Sequence, residues 1–398
     1  MKTYQQVIEF LFNQYPIYQS KGLDAYKPDL SNITSICKII GSPEKKIKTI
    51  HVAGTNGKGS VCNYLANIYK ESGYKIGLFT SPHLNDFRER ISINNKYISK
   101  EIILDFYNKY TNKFNPISPS FFEWSTALAF KYFEEEQTDL NIIETGLGGR
   151  LDSTNIITPE LSIITTIGLD HQKILGNTLN EIANEKGGII KNGIPILLGP
   201  DISITKPVLE KIANEKKSIL HITEKTNISH EFLPEYQLNN WQTALKTVNI
   251  LKEKYPVQLL ENDPSKYLTI KGRWQVLAEN PKVIADIGHN AQGMAAIKEG
   301  LQKEKYNELH IVLGFSKDKD VSKILNLLPK ADYYYTTKSQ NERSLDPKEI
   351  DKKLDKKSEI FDDHSDAIKA AKANATANDL ILITGSAFLV GDILADFL

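Results

Sequence analysis

The chain has 398 residues, of which 40% are hydrophobic and 25% are charged, a balance typical of a soluble globular protein with two domains. Its 49 basic and 49 acidic residues cancel, so the composition gives no reason to expect nucleic acid or an anionic membrane as a partner. Cys37 and Cys62 are too few for a disulfide framework and fit a reducing compartment. No apolar run approaches the roughly 18 residues of a membrane span.

The predicted elements alternate between strands and helices. The N-terminal segment MKTYQQVIEFLFNQY has helical spacing rather than the apolar block of a secretion signal. Further along, the predicted strands are 48–52, 75–80, 140–144, 162–167 and 194–198, and the predicted helices are 58–72, 120–136, 178–190 and 237–254. This order is typical of a parallel sheet covered by helices.

The alternation restarts after the polar stretch ENDPSKY. The predicted strands there are 283–287, 309–313, 333–337 and 380–384, with helices between them. We therefore place a domain boundary near residue 272 and expect two α/β domains, 1–272 and 273–398.

The glycine-rich segment GTNGKGS, residues 54–60, lies between a predicted strand and a predicted helix. Glycines let backbone N–H groups turn toward one anion, and the start of a helix adds its positive end. Lys58 supplies a charge for the β- and γ-phosphates of a nucleotide, and Ser60 a hydroxyl near its metal ion. The spacing is not that of a Walker A loop, because only two residues separate Gly54 from Gly57 and the hydroxyl stands one position late. The residues alone favour a nucleotide loop over a turn with an incidental lysine.

Several other polar residues follow predicted strands. Glu144 ends a strand, where a carboxylate can hold Mg²⁺, although a salt bridge to lysine is the commoner reading of the position alone. Arg150 and Asp152 come soon after and could orient a substrate or pair with each other. His171 follows the next strand end, where a lone histidine is more often a packing or hydrogen-bonding residue. Lys186 reads, without other information, as a solvated lysine on a helix.

Arginine is rare, with five residues among the 49 basic ones, and a bias toward lysine explains most of this skew. Arg150 and Arg273 stand in glycine-containing contexts where the planar fork of a guanidinium is hard to replace. In the second domain, Asp286 and His289 follow a strand and are expected to face the first domain. Each also reads as a polar residue at a domain edge.

GTNGKGS resembles the ATP loop of the Mur ligase superfamily, and its short spacing is the usual form there. TSPHL at 80–84, followed by RERI at 88–91, narrows the resemblance to folylpolyglutamate synthase and dihydrofolate synthase. The other signatures of that family follow in order: FFE at 121–123, ETGLGGRLDSTN at 144–155, GLDH at 168–171, EKGGI at 185–189, YQLNN at 236–240, GRWQ at 272–275, DIGHN at 286–290 and GFSKDKD at 314–320. DIGHN departs from the family pattern, since Ala291 stands in place of proline and Gly288 in place of alanine.

The resemblance implies a P-loop ATPase-type, mostly parallel sheet domain that binds ATP and folate, and a smaller Rossmann-like α/β domain that binds glutamate. It implies that the carboxylate of a folate or dihydropteroate takes the γ-phosphate of ATP, and that L-glutamate attacks the resulting acyl phosphate. Domain closure would assemble the site and exclude water. It also implies ATP and Mg²⁺ with two metal sites, and a monomeric cytoplasmic enzyme that acts on small molecules.

The resemblance also assigns individual residues. The ATP-binding residues are Gly54, Thr55, Asn56, Gly57, Lys58, Gly59, Ser60, Asn240, Arg273 and Asp286. The metal ligands are Ser81, Glu144, His171 and, if CO₂ carbamylates it, Lys186. The folate side comprises Ser120, Phe122, Arg150 and Asp152, and the glutamate side comprises His289 and Ser386. The catalytic residues are Lys58, Lys186, Asp286 and His289. Histidine is an unusual ligand for Mg²⁺, and a carbamate requires a neutral amine and hence a lowered pKa.

Three other functions fit parts of the pattern. A Mur ligase for a UDP-linked muramyl substrate usually carries an N-terminal UDP-binding domain, for which we expect no room before residue 54. A nucleotide-gated regulatory module would bind ATP without glutamate-dependent ADP release. A P-loop kinase does not explain DIGHN or Lys186. Within the resembling family, dihydrofolate synthase, folylpolyglutamate synthase and a bifunctional enzyme all stay open.

Overall fold

A computed structural model describes residues 2–14, 29–200, 202–225, 229–259, 261–317, 319 and 321–397. The chain divides into two compact units. The first unit comprises Met1–Asn227 and Asn239–Thr269, and the second comprises Ile228–Leu238 and Ile270–Leu398. The sequence pattern places 228–238 with the first domain, whereas the structure groups this segment with the second unit.

The first unit contains an eight-stranded sheet within its described residues. Its strands are β1 (Thr49–Ala53), β2 (Ile76–Phe79), β3 (Ile91–Ile93), β4 (Lys96–Tyr97), β5 (Leu140–Glu144), β6 (Leu161–Ile164), β7 (Ile196–Leu198) and β8 (Leu220–Ile222). The order is β4-β3-β2-β5-β1-β6-β7-β8, and every pairing is parallel except those of β3 with β2 and β4. Because Val52 of β1 pairs with Glu144 of β5, and Ala53 pairs with Ile164 of β6, these three strands end at one edge. We call it the carboxyl edge.

Helices and short 3₁₀ turns connect these strands. The helices in this part of the chain are α1 (Tyr4–Gln14), α2 (Ser31–Ile39), α3 (Lys58–Glu71), α4 (Lys100–Phe114), α5 (Phe121–Glu135), α6 (Gln172–Leu175), α7 (Leu179–Gly187), α8 (Lys206–Glu215), α9 (Glu235–Leu251) and α10 (Pro264–Tyr267). Capping boxes begin α5 at Ser120 and α7 at Thr178, because a glutamate three residues later returns the hydrogen bond. These caps fix where both helices start.

Buried apolar side chains form separate cores in the first unit. One core combines α4 and α5 and includes Phe114, Trp124 and Phe130. Another packs α3 and α9 against the central strands through residues such as Leu65 and Trp241. Burial of one such large side chain contributes about 1.5–3 kcal/mol. Packing of these helices on the sheet therefore fixes the strands whose ends form the carboxyl edge.

The second unit contains a six-stranded sheet within its described residues. Its strands are β9 (Gln275–Glu279), β10 (Lys282–Ala285), β11 (Leu309–Leu313), β12 (Tyr333–Thr336), β13 (Glu359–Ile360) and β14 (Leu380–Thr384). They are ordered β13-β12-β11-β14-β10-β9, and only β9 runs antiparallel to its neighbour. The helices are α11 (Ala291–Leu301), α12 (Val321–Leu325), α13 (Pro347–Asp351), α14 (His364–Asn374) and α15 (Ala387–Phe397).

The predicted fold class, two mostly parallel α/β units, is confirmed. Strands 309–313 and 380–384 have the predicted bounds, and the helix predicted to reach residue 190 ends at Gly187. The antiparallel strand β9 was not predicted. In GFSKDKD, Asp318 and Asp320 lie outside the described residues. No helix in the described part of the chain is both long and apolar enough to cross a bilayer.

We expect Phe130→Ala to lower the free energy of unfolding of the first unit by about 3–5 kcal/mol, because the fully buried ring would leave a cavity. The measurement is urea unfolding followed by circular dichroism. Ile204→Ala is the control, since this side chain is 71% exposed and its loss should cost less than about 0.5 kcal/mol. Equal unfolding midpoints for the two variants would contradict this assignment of the core.

Candidate functional site

The glycine-rich loop joins β1 to α3 at the carboxyl edge. Gly57 adopts a φ of 85° as the residue before the helix, a conformation that glycine reaches without strain. Ser60 lies in the first turn of α3 and is 1% exposed. The helix start and the loop therefore present backbone N–H groups to the same region.

The loop is tied to the segment that follows β6. The N–H of Thr55 donates to the carbonyl of Thr166 at 2.8 Å, and the N–H of Asn56 donates to the Thr166 hydroxyl at 3.0 Å. The Thr165 hydroxyl donates to the carbonyl of Asn56 at 2.6 Å. The Thr55 side chain bonds both backbone groups of Gly168. Thr55 and Asn56 thus fix the loop to the GLDH segment.

Asn240 of α9 lies against the loop within the first unit. A Cβ atom at Gly57 would be 2.4 Å from the Asn240 side-chain oxygen. Asn240 is 7% exposed, so its amide is largely buried where it lies against the loop. The structure brings this predicted ATP-binding residue to the loop, although almost two hundred residues of sequence separate them.

Two lysine ammonium groups meet at one carbonyl oxygen of the loop. Nζ of Lys58 donates to the carbonyl of Gly54 at 3.2 Å, and Nζ of Lys186 donates to the same oxygen at 2.8 Å. Lys186 projects from α7 and is 3% exposed. Burial, aided by the charge of Lys58, lowers the pKa of Lys186 to about 7. Lys186 is therefore a buried amine, not a solvated helix lysine.

Glu144 ends β5 next to the loop and is 3% exposed. One carboxylate oxygen accepts the N–H of Ser81 at 3.1 Å, and the other lies 3.9 Å from Nζ of Lys58. The carboxylate therefore lies near a lysine, in agreement with the predicted salt bridge between Glu144 and a lysine. A buried carboxylate beside a serine and a phosphate-type loop is also the oxygen-rich donor set that Mg²⁺ prefers. These residues fit a divalent cation.

His171 follows β6 and begins α6 with a φ of 50°. Its Nε2 atom lies 3.9 Å from a carboxylate oxygen of Asp170, and 27% of its side chain is exposed. Sequence reasoning passed over Asp170, the acidic residue of GLDH, whose carboxylate is a harder ligand than imidazole. Asp170 also acts on the pKa of Lys186, which places its charge near that amine.

The folate-side prediction covers residues that the structure engages in packing and capping. The Ser120 hydroxyl accepts the N–H of Glu123 at 3.2 Å as the cap of α5. Phe122 is partly buried, with its ring centroid 5.7 Å from that of Phe79, and it packs over Gly146. Phe122 therefore keeps a partly open aromatic surface for a flat ligand, whereas Ser120 is engaged as a helix cap.

Arg150 and Asp152 have separate partners. Two nitrogens of the Arg150 guanidinium donate to one carboxylate oxygen of Glu185, at 2.8 and 3.1 Å. Asp152 is 5% exposed and accepts hydrogen bonds from the N–H of Leu147 and from the backbone and hydroxyl of Thr154. Burial raises the pKa of Asp152 despite these bonds. Asp152 therefore holds the ETGLGGRLD segment in shape.

Asp286 is the centre of a hydrogen-bond network in the second unit. Its carboxylate accepts the hydroxyl of Tyr236 at 2.5 Å and the N–H groups of Trp274 and Gly288 at 2.9 and 2.8 Å. The charge of Arg273 also acts on this carboxylate, and burial raises the pKa of Asp286. Nε of Arg273 is buried without a hydrogen-bond partner within the described part of the unit. The network joins YQLNN, GRWQ and DIGHN.

The remaining predicted residues of the second unit follow β10 and β14. A ring nitrogen of His289 lies 2.9 Å from the carbonyl of Ile287, and Asn290 caps α11 through the N–H of Gly293. Ser386 is 5% exposed and accepts the N–H of Phe388 at 3.2 Å. Because β10 and β14 are parallel neighbours, Asp286 and Ser386 follow the same end of the sheet.

Sequence reasoning missed a buried arginine beside the aromatic cluster of the first unit. Arg90 of RERI is 3% exposed, and its Nε donates to a ring nitrogen of His83 at 2.7 Å. Its guanidinium lies 5.3 Å from the Phe121 ring centroid. Burial lowers the pKa of Arg90 to about 10 and that of His83 to about 3. The scarcity of arginine was the available signal.

Known proteins resemble the chain along nearly its whole length. Residues 52–260 match the Mur ligase middle domain, and residues 272–387 match the glutamate ligase domain of Mur ligases. The dihydrofolate synthase/folylpolyglutamate synthase of Buchnera aphidicola subsp. Schizaphis graminum is 32% identical over 410 residues, with 97% of each chain covered. E. coli FolC in complex with DHPP and ADP matches with a TM-score of 0.88 and 26% identity, covering 99% of this chain and 97% of that one. A bifunctional folylpolyglutamate synthase/dihydrofolate synthase with Mn, AMPPNP and L-glutamate bound matches with a TM-score of 0.86 and 25% identity, covering 100% and 98%.

The parallel sheet with its short glycine-rich loop, together with the two matched domains, defines a Mur ligase, a class of ATP-dependent ligases. Within that class, the chain belongs to the dihydrofolate synthase/folylpolyglutamate synthase family.

We expect Gly57→Ala to weaken ATP binding strongly without unfolding the protein, because the added Cβ would displace the Asn240 amide from the loop. Gly73→Ala is the matched control. Gly73 has a similar φ of 90°, and its Cβ would meet no atom within 4 Å, so both variants share the backbone strain. Isothermal titration with ATP measures the difference. Equal ATP affinity in the two variants would remove Asn240 and Gly57 from the nucleotide site.

Proposed function

We propose that this protein joins L-glutamate to the carboxylate of a folate or dihydropteroate acceptor, using ATP and a divalent cation. One observation carries the proposal: two lysines meet at the Gly54 carbonyl beside buried Glu144, in a member of the dihydrofolate synthase/folylpolyglutamate synthase family. Such an arrangement suits a triphosphate, because the Lys58 ammonium and a helix start face the same place.

Phosphoryl transfer makes the ligation possible. A carboxylate is a poor acyl donor, so its oxygen first attacks the γ-phosphate of ATP and ADP leaves. The amine of L-glutamate then attacks the carbonyl carbon of the acyl phosphate. The carbon–oxygen bond to phosphate breaks, inorganic phosphate leaves and the amine loses a proton. This chemistry relies on positioning and charge neutralisation.

The loop residues bind and orient the nucleotide in this proposal. Gly54, Gly57 and Gly59 let the backbone approach the phosphates, and Lys58 turns from its carbonyl partners toward the γ-phosphate. Glu144, Ser81 and His171 would hold Mg²⁺, which neutralises phosphate charge when bound. Thr55, Asn56, Ser60 and Asn240 complete the nucleotide side.

In this proposal, different residues bind the folate or dihydropteroate acceptor and L-glutamate. Phe122 offers a ring face to the pterin, while Ser120, Arg150 and Asp152 hold the segments around it. In the second unit, Arg273 binds the phosphates in this proposal, and its charge acts on the Asp286 carboxylate, which also accepts the Tyr236 hydroxyl. His289 and Ser386 bind the glutamate. The protein acts as a monomer.

Lys186 is proposed as the site of a carbamate. The ammonium first loses one proton to give the neutral amine. The amine nitrogen then attacks CO₂, forms a nitrogen–carbon bond and releases a second proton, so a buried cation becomes an anion. That anion would offer oxygen ligands for a second metal ion. The proposal is supported by the burial of Lys186, by its 2.8 Å contact with the loop and by its lowered pKa.

We expect Lys58→Ala to reduce glutamate-dependent ADP release by at least about a hundredfold, because the variant lacks the ammonium group that neutralises charge on the transferred phosphate. Lys70→Ala, an exposed position in the last turn of the same helix, should retain full activity. Parallel assays with dihydropteroate and tetrahydrofolate identify the acceptor. ATP binding without glutamate-dependent ADP release from the wild-type protein would sink the ligase proposal and favour a nucleotide-gated module.

The carbamate predicts a ¹³C resonance from protein equilibrated with ¹³C-bicarbonate. Because only the neutral amine reacts, the signal should grow as the pH rises through about 7, the pKa of Lys186. Lys186→Arg should remove the signal, and Lys191→Arg should keep it. Lys191 is the matched control, since it is partly buried and burial lowers its pKa to about 8. An unchanged spectrum in Lys186→Arg would assign the carbamate elsewhere.

A further inference from the structure

A second group of potential metal ligands lies in the second unit, away from Asp286 and Ser386. Glu308 directly precedes β11, His310 is the second residue of that strand, and Asp379 directly precedes β14. Since β11 and β14 are parallel neighbours, these residues stand where the strands begin, whereas Ser386 follows the end of β14. This group, the amino-edge cluster, therefore lies at the opposite edge of the sheet.

The three side chains of the amino-edge cluster converge. One ligand atom from each of Glu308, His310 and Asp379 lies within 4.8 Å of the other two. Nε2 of His310 is 3.9 Å from a carboxylate oxygen of Asp379. His310 is 0% exposed, and this nitrogen has no hydrogen-bond partner among the described residues. A buried polar atom left without a partner costs free energy, so its orientation toward two carboxylates calls for an explanation.

The imidazole of His310 is fixed before any ion arrives. Its Nδ1 atom lies 3.1 Å from the hydroxyl of Tyr335, which also accepts a hydrogen bond from Asn374 at 3.1 Å. The ring stacks on Tyr333 with centroids 4.7 Å apart and an interplanar angle of 14°. A partner on one ring nitrogen is the usual device that aims the other nitrogen of a metal-binding histidine.

Among the described residues, no lysine or arginine forms an ion pair with the carboxylates of the cluster. Asp379 is 3% exposed, and its oxygens accept the N–H of Glu308 and both donors of Thr376. Lys356 donates instead to the carbonyl of Asp332 and lies 5.5 Å from the Tyr333 ring. A buried carboxylate without a cationic partner favours a bound cation.

We propose that Glu308, His310 and Asp379 bind a divalent first-row transition cation, with Zn²⁺ as its representative. One imidazole nitrogen and two carboxylate oxygens form a three-ligand set that Zn²⁺ accepts, with water at the fourth position. The partly exposed Glu308 gives the ion its route from solvent. Bound there, the ion links the start of β11 to the start of β14, and its role is structural.

The test is a titration of the full-length protein with Co²⁺, a visible stand-in for Zn²⁺, in saturating Mg²⁺ and ADP. The wild-type protein should bind one Co²⁺ equivalent that His310→Gln lacks. Glu308→Gln, at a partly exposed position that tolerates substitution, should bind it at least about tenfold more weakly. His364→Gln should keep the full equivalent. This buried histidine of the same unit already has a partner, because its Nε2 lies 3.2 Å from Asp396.

Thermal unfolding with and without Zn²⁺ separates loss of metal binding from loss of folding in the variants. Zn²⁺ should raise the thermal midpoint of the wild-type protein and of His364→Gln, and should not raise that of Glu308→Gln. Glutamate-dependent ADP release should be unchanged in Glu308→Gln, so failure of the metal site is distinguishable from failure of the ligase. Unchanged Co²⁺ stoichiometry and affinity in both cluster variants would overturn the proposal and leave His310 as a buried partner of Asp379.

Discussion

The candidate site depends on one carbonyl oxygen, that of Gly54, to which two ammonium groups donate. Lys58 approaches it from the loop and Lys186 approaches it from α7. Two like charges this close raise the free energy of the charged state, and burial adds to the effect, so the amine of Lys186 gives up its proton easily. The loop backbone lies close against Thr165, since a Cβ atom at Gly54 would be 1.9 Å from the Thr165 hydroxyl, which itself donates to the carbonyl of Asn56. While both amines are protonated they form a positive region beside the loop, and either the loss of the Lys186 proton or a bound polyphosphate reduces that charge.

Parallel strand order explains how distant residues reach that region. β5, β1 and β6 are neighbours in the sheet although they are far apart in sequence, so the residues after each strand gather at one edge. Backbone and capping hydrogen bonds then set the connecting segments, as Thr55, Thr166 and Asp152 illustrate. The second unit follows the same rule, with Asp286 and Ser386 after strand ends and the amino-edge cluster before strand starts. The second sheet therefore has one polar group after its strands and another before them.

The sequence predicted the fold class and most strands because apolar runs and glycine-rich turns are local signals. It did not predict β9, since an antiparallel strand beside a parallel sheet leaves no distinct period in so few residues. The burial of Lys186 was also beyond reach, because it directly follows Asn184 and Glu185 at the polar end of α7. The hydroxyl of Ser120 and the carboxylates of Asp152 and Asp286 are engaged by partners that only the tertiary structure supplies. The metal role of His171 came from family resemblance alone and stays a prediction.

The environment of Lys186 has a chemical consequence. An amine with a pKa of about 7 is a competent nucleophile at neutral pH. Small electrophiles such as cyanate therefore have a preferred target in a chain otherwise rich in lysine. A nucleotide bound at the loop would shield the Lys186 amine. The rate at which Lys186 is modified, followed by mass spectrometry, would therefore report how much of the protein has nucleotide bound.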